Sequence, residues 1–410
     1  MSELFLLLIG ARVLRRKWWL VMAVGLAWLL VGAFLFTDAF IADIRIPSSW
    51  FAVPLALDAV LSLAAAVVAT GAGRSLRIGK ALVLAGIVLV IVQAPWHMDM
   101  IVGLLVGLFL VIDAVWRGVS AWVVRQARWR LWLAVAVGEF LMGVWSFVPW
   151  PTHWQGEVGS DIGLLFMVSA AGVCSFALRL RRLPPDRAMA GPIDMSPTDA
   201  PSSAARGAAT VHIWTPTGAL APPSLRRYIV SRKEGTLSTG HAALEAPDLY
   251  ISHYPDSGSV STSPAVKQTL RLLSDQDIGG RFQPDPAADA GDGPPATATI
   301  DLPGLDLAAL AAFWDDYRGD ATYNLTKRNC ASVVVQALDA GVEGVFQHEA
   351  RSPWFLVRLS FLPELWVAGL IRRRASAMAW TPGLLLDYAR ALAEVLQLPQ
   401  RRASGRRHRS

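Results

Sequence analysis

Six apolar runs follow one another in the first part of the chain. They cover Trp18–Phe36, Trp50–Thr70, Ile78–Val92, Met98–Trp116, Leu131–Val148 and Ile162–Leu178. An α-helix rises about 1.5 Å per residue, so roughly 20 apolar residues cross ~30 Å of hydrocarbon. Most of the runs come near that length, and the third needs flanking residues to reach across. Backbone groups in lipid must be satisfied within the segment, so helices are the expected state. The pattern predicts an all-α six-helix transmembrane bundle over residues 1–182.

The polar positions between the runs add an orientation. Arg12, Arg15, Arg16 and Lys17 precede the first run. Arg74, Arg77 and Lys80 follow the second, Arg117, Arg125, Arg128 and Arg130 the fourth, and Arg179, Arg181 and Arg182 the sixth. The intervening loops hold one basic residue, Arg45. The positive-inside rule then predicts a multi-pass protein of the bacterial inner (cytoplasmic) membrane, with both termini cytoplasmic. The first run lacks a small-residue cleavage site, so no cleavable signal peptide is expected.

After residue 182 the period changes. Residues 183–209 are rich in Pro, Ala, Ser and Gly and read as a flexible linker. Residues 210–397 mix strand and helix patterns and predict a soluble α+β domain on the cytoplasmic side. Thr210–Trp214, "TGHAALEA" and "LYISHYP" read as short strands. "DSGSVSTSP" and "PDPAADAGDGPPATAT" read as loops. Asp306–Gly319 and the stretch from Cys330 read as helices. "FLVRLSFLPELWVAGLI" is apolar but interrupted by Arg358, Pro363 and Glu364, so amphipathic helices that pack on the domain or lie on the bilayer surface are expected there. "TPGLLLDYARALAEVL" begins with Thr–Pro, a helix start. Residues 398–410 form a basic tail, expected to be disordered and able to meet anionic lipid.

Composition agrees with a lipid bilayer as partner. The chain has 410 residues, 53% hydrophobic and 17% charged, with 17 tryptophans. Mean hydropathy is +0.40. The net charge of +6 sits largely in clusters beside apolar runs, which argues for membrane topology and against nucleic acid. Two cysteines, Cys174 and Cys330, make no disulfide framework. Cys174 lies in an apolar run and reads as packing.

Three acids, Asp58, Asp113 and Glu139, fall inside the apolar runs. Ionisable groups there are costly and hint at function; the plainer reading pairs or caps them within the bundle. Asp58 and Asp113 each begin the triplet "DAV", a trace of internal duplication.

Cys330 carries the chemistry. It stands at the start of "CASVVVQALDAG", after "YNLTKRN". Amides of a helix's first turn stabilise a thiolate and can form an oxyanion hole. A base is then required. Of seven histidines, His97 and His153 fall in expected external loops and His408 in the tail, leaving His212, His241, His253 and His348. His241 follows Gly240 on a short strand, and His253 lies twelve residues later in "YISHYP". Paired strands with an even separation would put both imidazoles on one face. No cofactor is expected. A Cys-His-His zinc site would want a fourth ligand, and there is no C-x-x-C. A small buried cysteine and a hydrogen-bonded histidine are the structural alternative.

Two resemblances extend this reading. "RRKWWLVMAVGLAWLLVGAFLF" and "IGLLFMVSAAGVCSFALRLRR" resemble the HdeD-type (acid-resistance) membrane family over residues 12–182, which implies a compact six-helix bundle and an acid-stress role. "GHAALE…YISHYP…YNLTKRNCASVVVQAL" is similar to the permuted papain-like fold, including permuted NlpC/P60 and lecithin–retinol acyltransferase-like enzymes, over about residues 210–345. That resemblance implies Cys330 as nucleophile, His241 as base and His253 as the orienting residue, with Asp256 a rival, and a peptide, amide or acyl substrate. Asn324 is a candidate oxyanion donor. The acyltransferase-like enzymes usually continue "NCEHF", where this chain reads "NCASVV". The expected function is a membrane-anchored cysteine hydrolase or acyl-transfer enzyme. The alternative is a non-enzymatic stress-response membrane protein with a binding domain.

Overall fold

The computed structural model describes residues 2–41, 52–68, 71–93, 98–124, 129–148, 154–182, 206–215, 231–233, 236–238, 240–256, 277–291, 295–377 and 379–398. Two compact units result. One comprises Val13–Trp122 and Ala127–Leu183; the other comprises Met1–Arg12, Val123–Gln126 and Pro184–Ser410.

The first unit is helical. It contains α2 (Ala11–Arg16), α3 (Trp18–Asp38), α4 (Ala52–Val68), α5 (Gly71–Gln93), α6 (Met98–Val124), α7 (Trp129–Trp145) and α8 (Trp154–Arg182). The expected six-span transmembrane bundle is corrected here. Among the described residues only Trp18–Asp38 and Gly159–Arg182 are single helices long and apolar enough to cross a membrane. The reasons are length and charge. Helices α4 and α7 have 17 residues each, about 25 Å at 1.5 Å per residue, short of ~30 Å of hydrocarbon. Helix α5 opens with Arg74, Arg77 and Lys80, and α6 carries Asp99, Asp113 and Arg117.

Helices α3 and α8 pack through small residues. A Cβ at Gly163 would meet Gly32 O at 2.7 Å, and one at Gly25 would meet Cys174 Sγ at 2.7 Å. Backbones this close need glycine, and Cys174 fills the adjoining gap. Trp28 stacks on Phe166 at 5.0 Å. The three acids are each paired. Lys80 Nζ lies 2.8 Å from Asp58, while Arg117 lies 2.5 Å from Asp113 and 3.0 Å from Glu139. Mutual neutralisation accounts for their presence among apolar residues.

The second unit is α+β. Its sheet has the order β7-β1-β4-β5-β6-β8, every neighbouring pair antiparallel, built from β1 (Arg206–Trp214), β4 (His241–Ala246), β5 (Leu249–Pro255), β6 (Ile278–Phe282), β7 (Ala298–Asp306) and β8 (Thr322–Tyr323). A separate hairpin joins β2 (Ser231–Lys233) to β3 (Thr236–Ser238). The helices are α1 (Ser2–Ile9), α9 (Pro286–Gly291), α10 (Leu307–Tyr317), α11 (Cys330–Val342), α12 (Pro353–Ser360), α13 (Pro363–Ala377) and α14 (Pro382–Leu396). β1 begins inside the expected linker, whose residues 183–205 lie outside the described ones, as does nearly all of the basic tail.

Helix α11 is the centre of this unit: every residue but Gln336 is buried. One side of the sheet covers it through Val211, Ala242, Leu244 and Ile251, while α10, α13 and α14 supply the rest of the core. Asp339 on α11 and Arg372 on α13 form a two-pronged ion pair.

The hairpin between β4 and β5 sets the site's register. Ala246 pairs with Leu249, leaving Pro247 and Asp248 as a two-residue turn, with Asp248 at φ 59. Proline followed by a left-handed residue makes a tight turn of type II character.

The N-terminal helix α1 belongs to this unit. Leu4 and Leu8 are fully buried in its core. The amides of Gly344 and Phe346 donate to Leu7 O and Leu8 O, each at 2.9 Å. Gly10 crosses Gly344 so closely that a Cβ would meet its Cα at 2.7 Å. Trimming Leu8→Ala should therefore destabilise the α+β unit by about 2–5 kcal/mol. The check is the thermal unfolding midpoint of the full chain read at an α+β signal, beside Leu82→Ala on the exposed surface of α5 as control.

Candidate active site

Helix α11 begins at Cys330 because Asn329 caps it. The Asn329 side chain accepts from Ser332 N at 2.7 Å, and the Asn329 amide donates to Ser332 Oγ at 2.7 Å, a reciprocal box. Asn329 Nδ2 also donates to Trp380 O at 2.9 Å, which ties the helix start to the segment before α14. The turn before it is held by Asn324, whose Oδ1 accepts from Thr326 N and Lys327 N while its Nδ2 donates to Asp277 at 2.9 Å. Asn324 thus shapes the loop that carries Cys330, and its amide is aimed at Asp277. Arg328 lies over the Tyr317 ring at 3.9 Å and donates to Thr322 O and Tyr317 O.

His241 opens β4 after Gly240, whose φ of 82 suits glycine. Its ring is buried, stacked on Tyr254 at 3.9 Å and 18°. A side-chain hydrogen bond joins it to Cys330. Its Nε2 lies 3.0 Å from Ser252 Oγ and 3.7 Å from Asp289 Oδ2. Ser252 Oγ donates to Asp289 Oδ2 at 2.9 Å, and Tyr250 Oη donates to the same oxygen at 2.5 Å. Ser252 gives its proton to the carboxylate, so its oxygen accepts from Nε2–H. That tautomer leaves Nδ1 as the basic nitrogen for the thiol.

The electrostatics follow. Burial by itself would pull the His241 pKa down. Hydrogen bonds to Asp289 and Cys330, with the charge on both, outweigh it and hold the imidazole above its ordinary value. Burial would raise Asp289, but the hydrogen bonds from His241, Tyr250 and Ser252 hold it below the usual carboxylate range. An ionised carboxylate beside a readily protonated imidazole favours the ion pair that a cysteine nucleophile uses.

Two of the expected site residues, Cys330 and His241, are brought together. His253 takes a different place. Antiparallel partners share a face, and Ala243 pairs with Ser252. His241 therefore shares its face with Tyr250, Ser252 and Tyr254, while His253 points to the other. A two-residue turn makes same-face separations odd across the hairpin, so the even spacing of the histidines separates them. Among the described residues, His253 Nδ1 lies 3.1 Å from Tyr317 Oη and Nε2 lies 3.4 Å from Ala321 O, between the rings of Phe282, Tyr317 and Tyr323. A Cβ on Gly280 would come within 2.5 Å of its Nε2. Asp256, the rival, is exposed at the end of β5. Asp289 and Ser252 are the polar groups beside the His241 ring instead. Asp289 sits on α9, inside a Pro/Ala/Asp/Gly run that the pattern assigns to a loop.

Tyr323 is a further member. It is buried beside Cys330, and burial followed by the charge at Cys330 pushes its pKa well above the ordinary value. The phenol is therefore a neutral donor beside Cys330, where an oxyanion would sit. Among the described residues no cluster of three or more His, Cys, Asp or Glu could hold a metal ion.

Removing the cap should loosen the helix start. Asn329→Ala should cost about 1–2 kcal/mol and expose the Cys330 amide to faster hydrogen exchange, measured by mass spectrometry on the full chain. A second expectation concerns acid. Burial, the largest effect, lowers His253 to about 4 from 6.5. A depressed imidazole contributes stability that is present above pH 6.5 and lost as pH falls toward 4, on the order of 2 kcal/mol. His253→Gln should flatten the stability–pH slope across that window, whatever its effect at neutral pH. His241 acts with the opposite sign: its raised pKa contributes stability below 6.5 that is lost as pH rises through the folded value.

Comparison with known proteins finds one family. A family model described as the IcsB middle domain matches residues 281–408, just under a third of the chain, from within β6 through α14. The matched segment includes Asp289, Tyr323 and Cys330 and leaves out His241. No curated protein and no solved structure matches the chain.

Proposed function

We propose that the α+β unit is a cysteine enzyme of the hydrolase or acyl-transfer type, acting on amide, ester or thioester carbonyls. The supporting observation is the polar cluster of Cys330, His241, Ser252 and Asp289, in which a buried imidazole interacts with both the thiol and the carboxylate. In this reading Cys330 Sγ gives its proton to His241 and attacks the carbonyl carbon. The oxyanion receives hydrogen bonds from the Cys330 amide and from Tyr323 Oη. His241 then protonates the leaving amine, alcohol or thiol as the C–X bond breaks, leaving an acyl-Cys330. Water or another acceptor attacks next; His241 takes its proton, and the thiol departs. Asp289 holds the imidazole's tautomer through Ser252 and balances its positive charge. The two candidate spans suit a membrane-anchored form of this chemistry, with membrane-proximal substrates favoured by effective concentration.

The test is activity-based labelling of the reconstituted full chain in a Cys174→Ala background. A thiol-directed acyl electrophile should label the native chain and lose all labelling in Cys330→Ala. His241→Ala should slow labelling about a hundredfold or more, Asp289→Asn less, and His253→Gln least. Labelling equally fast in wild type, His241→Ala and denatured chain would sink the enzyme reading and favour a binding domain with a structural cysteine.

A further inference from the structure

Helices α12 and α13 form an elbow, bent by 62° at the break between them, whose two faces differ sharply. The inner face, with Phe355, Leu359, Leu362, Leu365 and Ala368, is buried in the core of the α+β unit. The outer face carries Trp354, Val357, Phe361, Trp366 and Leu370, with Trp354 67% and Leu370 53% exposed. Arg358, Arg373 and Arg374 are exposed on the same two helices. The pair is apolar enough to be read as one broken span. Its inner face is committed to the protein core, so it cannot cross a bilayer without unfolding that core.

We propose that this elbow lies in the plane of an anionic membrane leaflet, with Trp354, Phe361, Trp366 and Leu370 in the headgroup–acyl boundary and the arginines on lipid phosphates. Three observations favour lipid as the occupant. The outer face pairs tryptophans with arginines, the composition that suits a membrane interface. A two-fold contact between copies of the same face would bring like arginines together, which argues against a second copy. The same chain also carries two helices long and apolar enough to cross a membrane, α3 and α8. The proposal is independent of the catalytic reading, since none of these residues touches Cys330 or His241 in any contact described above.

The experiment uses the full chain in proteoliposomes of phosphatidylcholine alone, or of phosphatidylcholine with phosphatidylglycerol, each with a trace of diazirine-bearing phosphatidylcholine. Crosslinked peptides are mapped by mass spectrometry, with α3 and α8 as internal references for insertion. Residues 353–371 should be labelled several-fold more strongly in the anionic vesicles. Trp354→Ser, at an exposed position that leaves the core intact, should reduce that labelling, and Trp354→Ser with Trp366→Ser should abolish it. Arg373→Glu with Arg374→Glu should remove the preference for anionic lipid. Labelled α3 and α8 beside an unlabelled elbow would overturn the proposal. So would protein–protein crosslinks between two copies through this face, and equal labelling in both vesicle types would overturn the anionic assignment.

Discussion

A helix buried on nearly every side is a demanding object to fold. Helix α11 can draw on water at neither end nor along most of its length, so every polar group at its ends needs a protein partner. At the start Asn329 and Ser332 satisfy each other, and Trp380 O receives the Asn329 side-chain amide. Just past its end, the amides of Gly344 and Phe346 find the carbonyls of Leu7 and Leu8. The same requirement that closes the helix thus recruits a segment from each end of the chain. It also leaves the sulfur at a fixed point, facing the strand that carries His241.

Much of this arrangement was legible in residues, and the remainder has identifiable causes. A cysteine after an asparagine at the start of an apolar 3.6-residue pattern does mark a capped helix, and the glycine–histidine start of a short strand does meet it. The hairpin register was written in "EAPDLY", whose Pro–Asp pair makes a two-residue turn; counting from that turn puts Ser252, and not His253, beside His241. Asp289 left no such trace. Its helix has six residues in a Pro-, Ala- and Gly-rich run, too short for periodicity, and tertiary contact alone brings it under the imidazole. The six apolar runs are helical, but apolar content over a run does not measure a span. Two helices stop at 17 residues, and two others carry several charges.

The recruitment of α1 also constrains topology. Residues 2–9 and the sheet share one core, so the long stretch of chain between Arg12 and Arg206 begins and ends at that core. Any bilayer crossings within that stretch would therefore come in an even number. The two helices long and apolar enough to cross, α3 and α8, satisfy that condition, and their glycine seam packs them together as a returning pair. An α+β unit whose core includes α1 is not separable by cutting the chain before β1, because that leaves the core without Leu4, Leu7 and Leu8.

The carboxylate of Asp289 explains why the imidazole and the thiol are worth burying together. Both Ser252 and Tyr250 donate to Oδ2, and among the described residues Oδ1 has no donor. A buried oxygen left without a partner costs about 1–3 kcal/mol. An acid chosen for stability alone would spread its donors over both oxygens. Concentrating them on the oxygen nearest His241 instead keeps the group ionised and its charge close to the ring. The gain is realised only when the ring is protonated, which in a cysteine enzyme happens when the thiol has given up its proton. Under the proposed chemistry, the donors gathered on Oδ2 and the raised imidazole have one physical account: a site arranged around the charged state of His241.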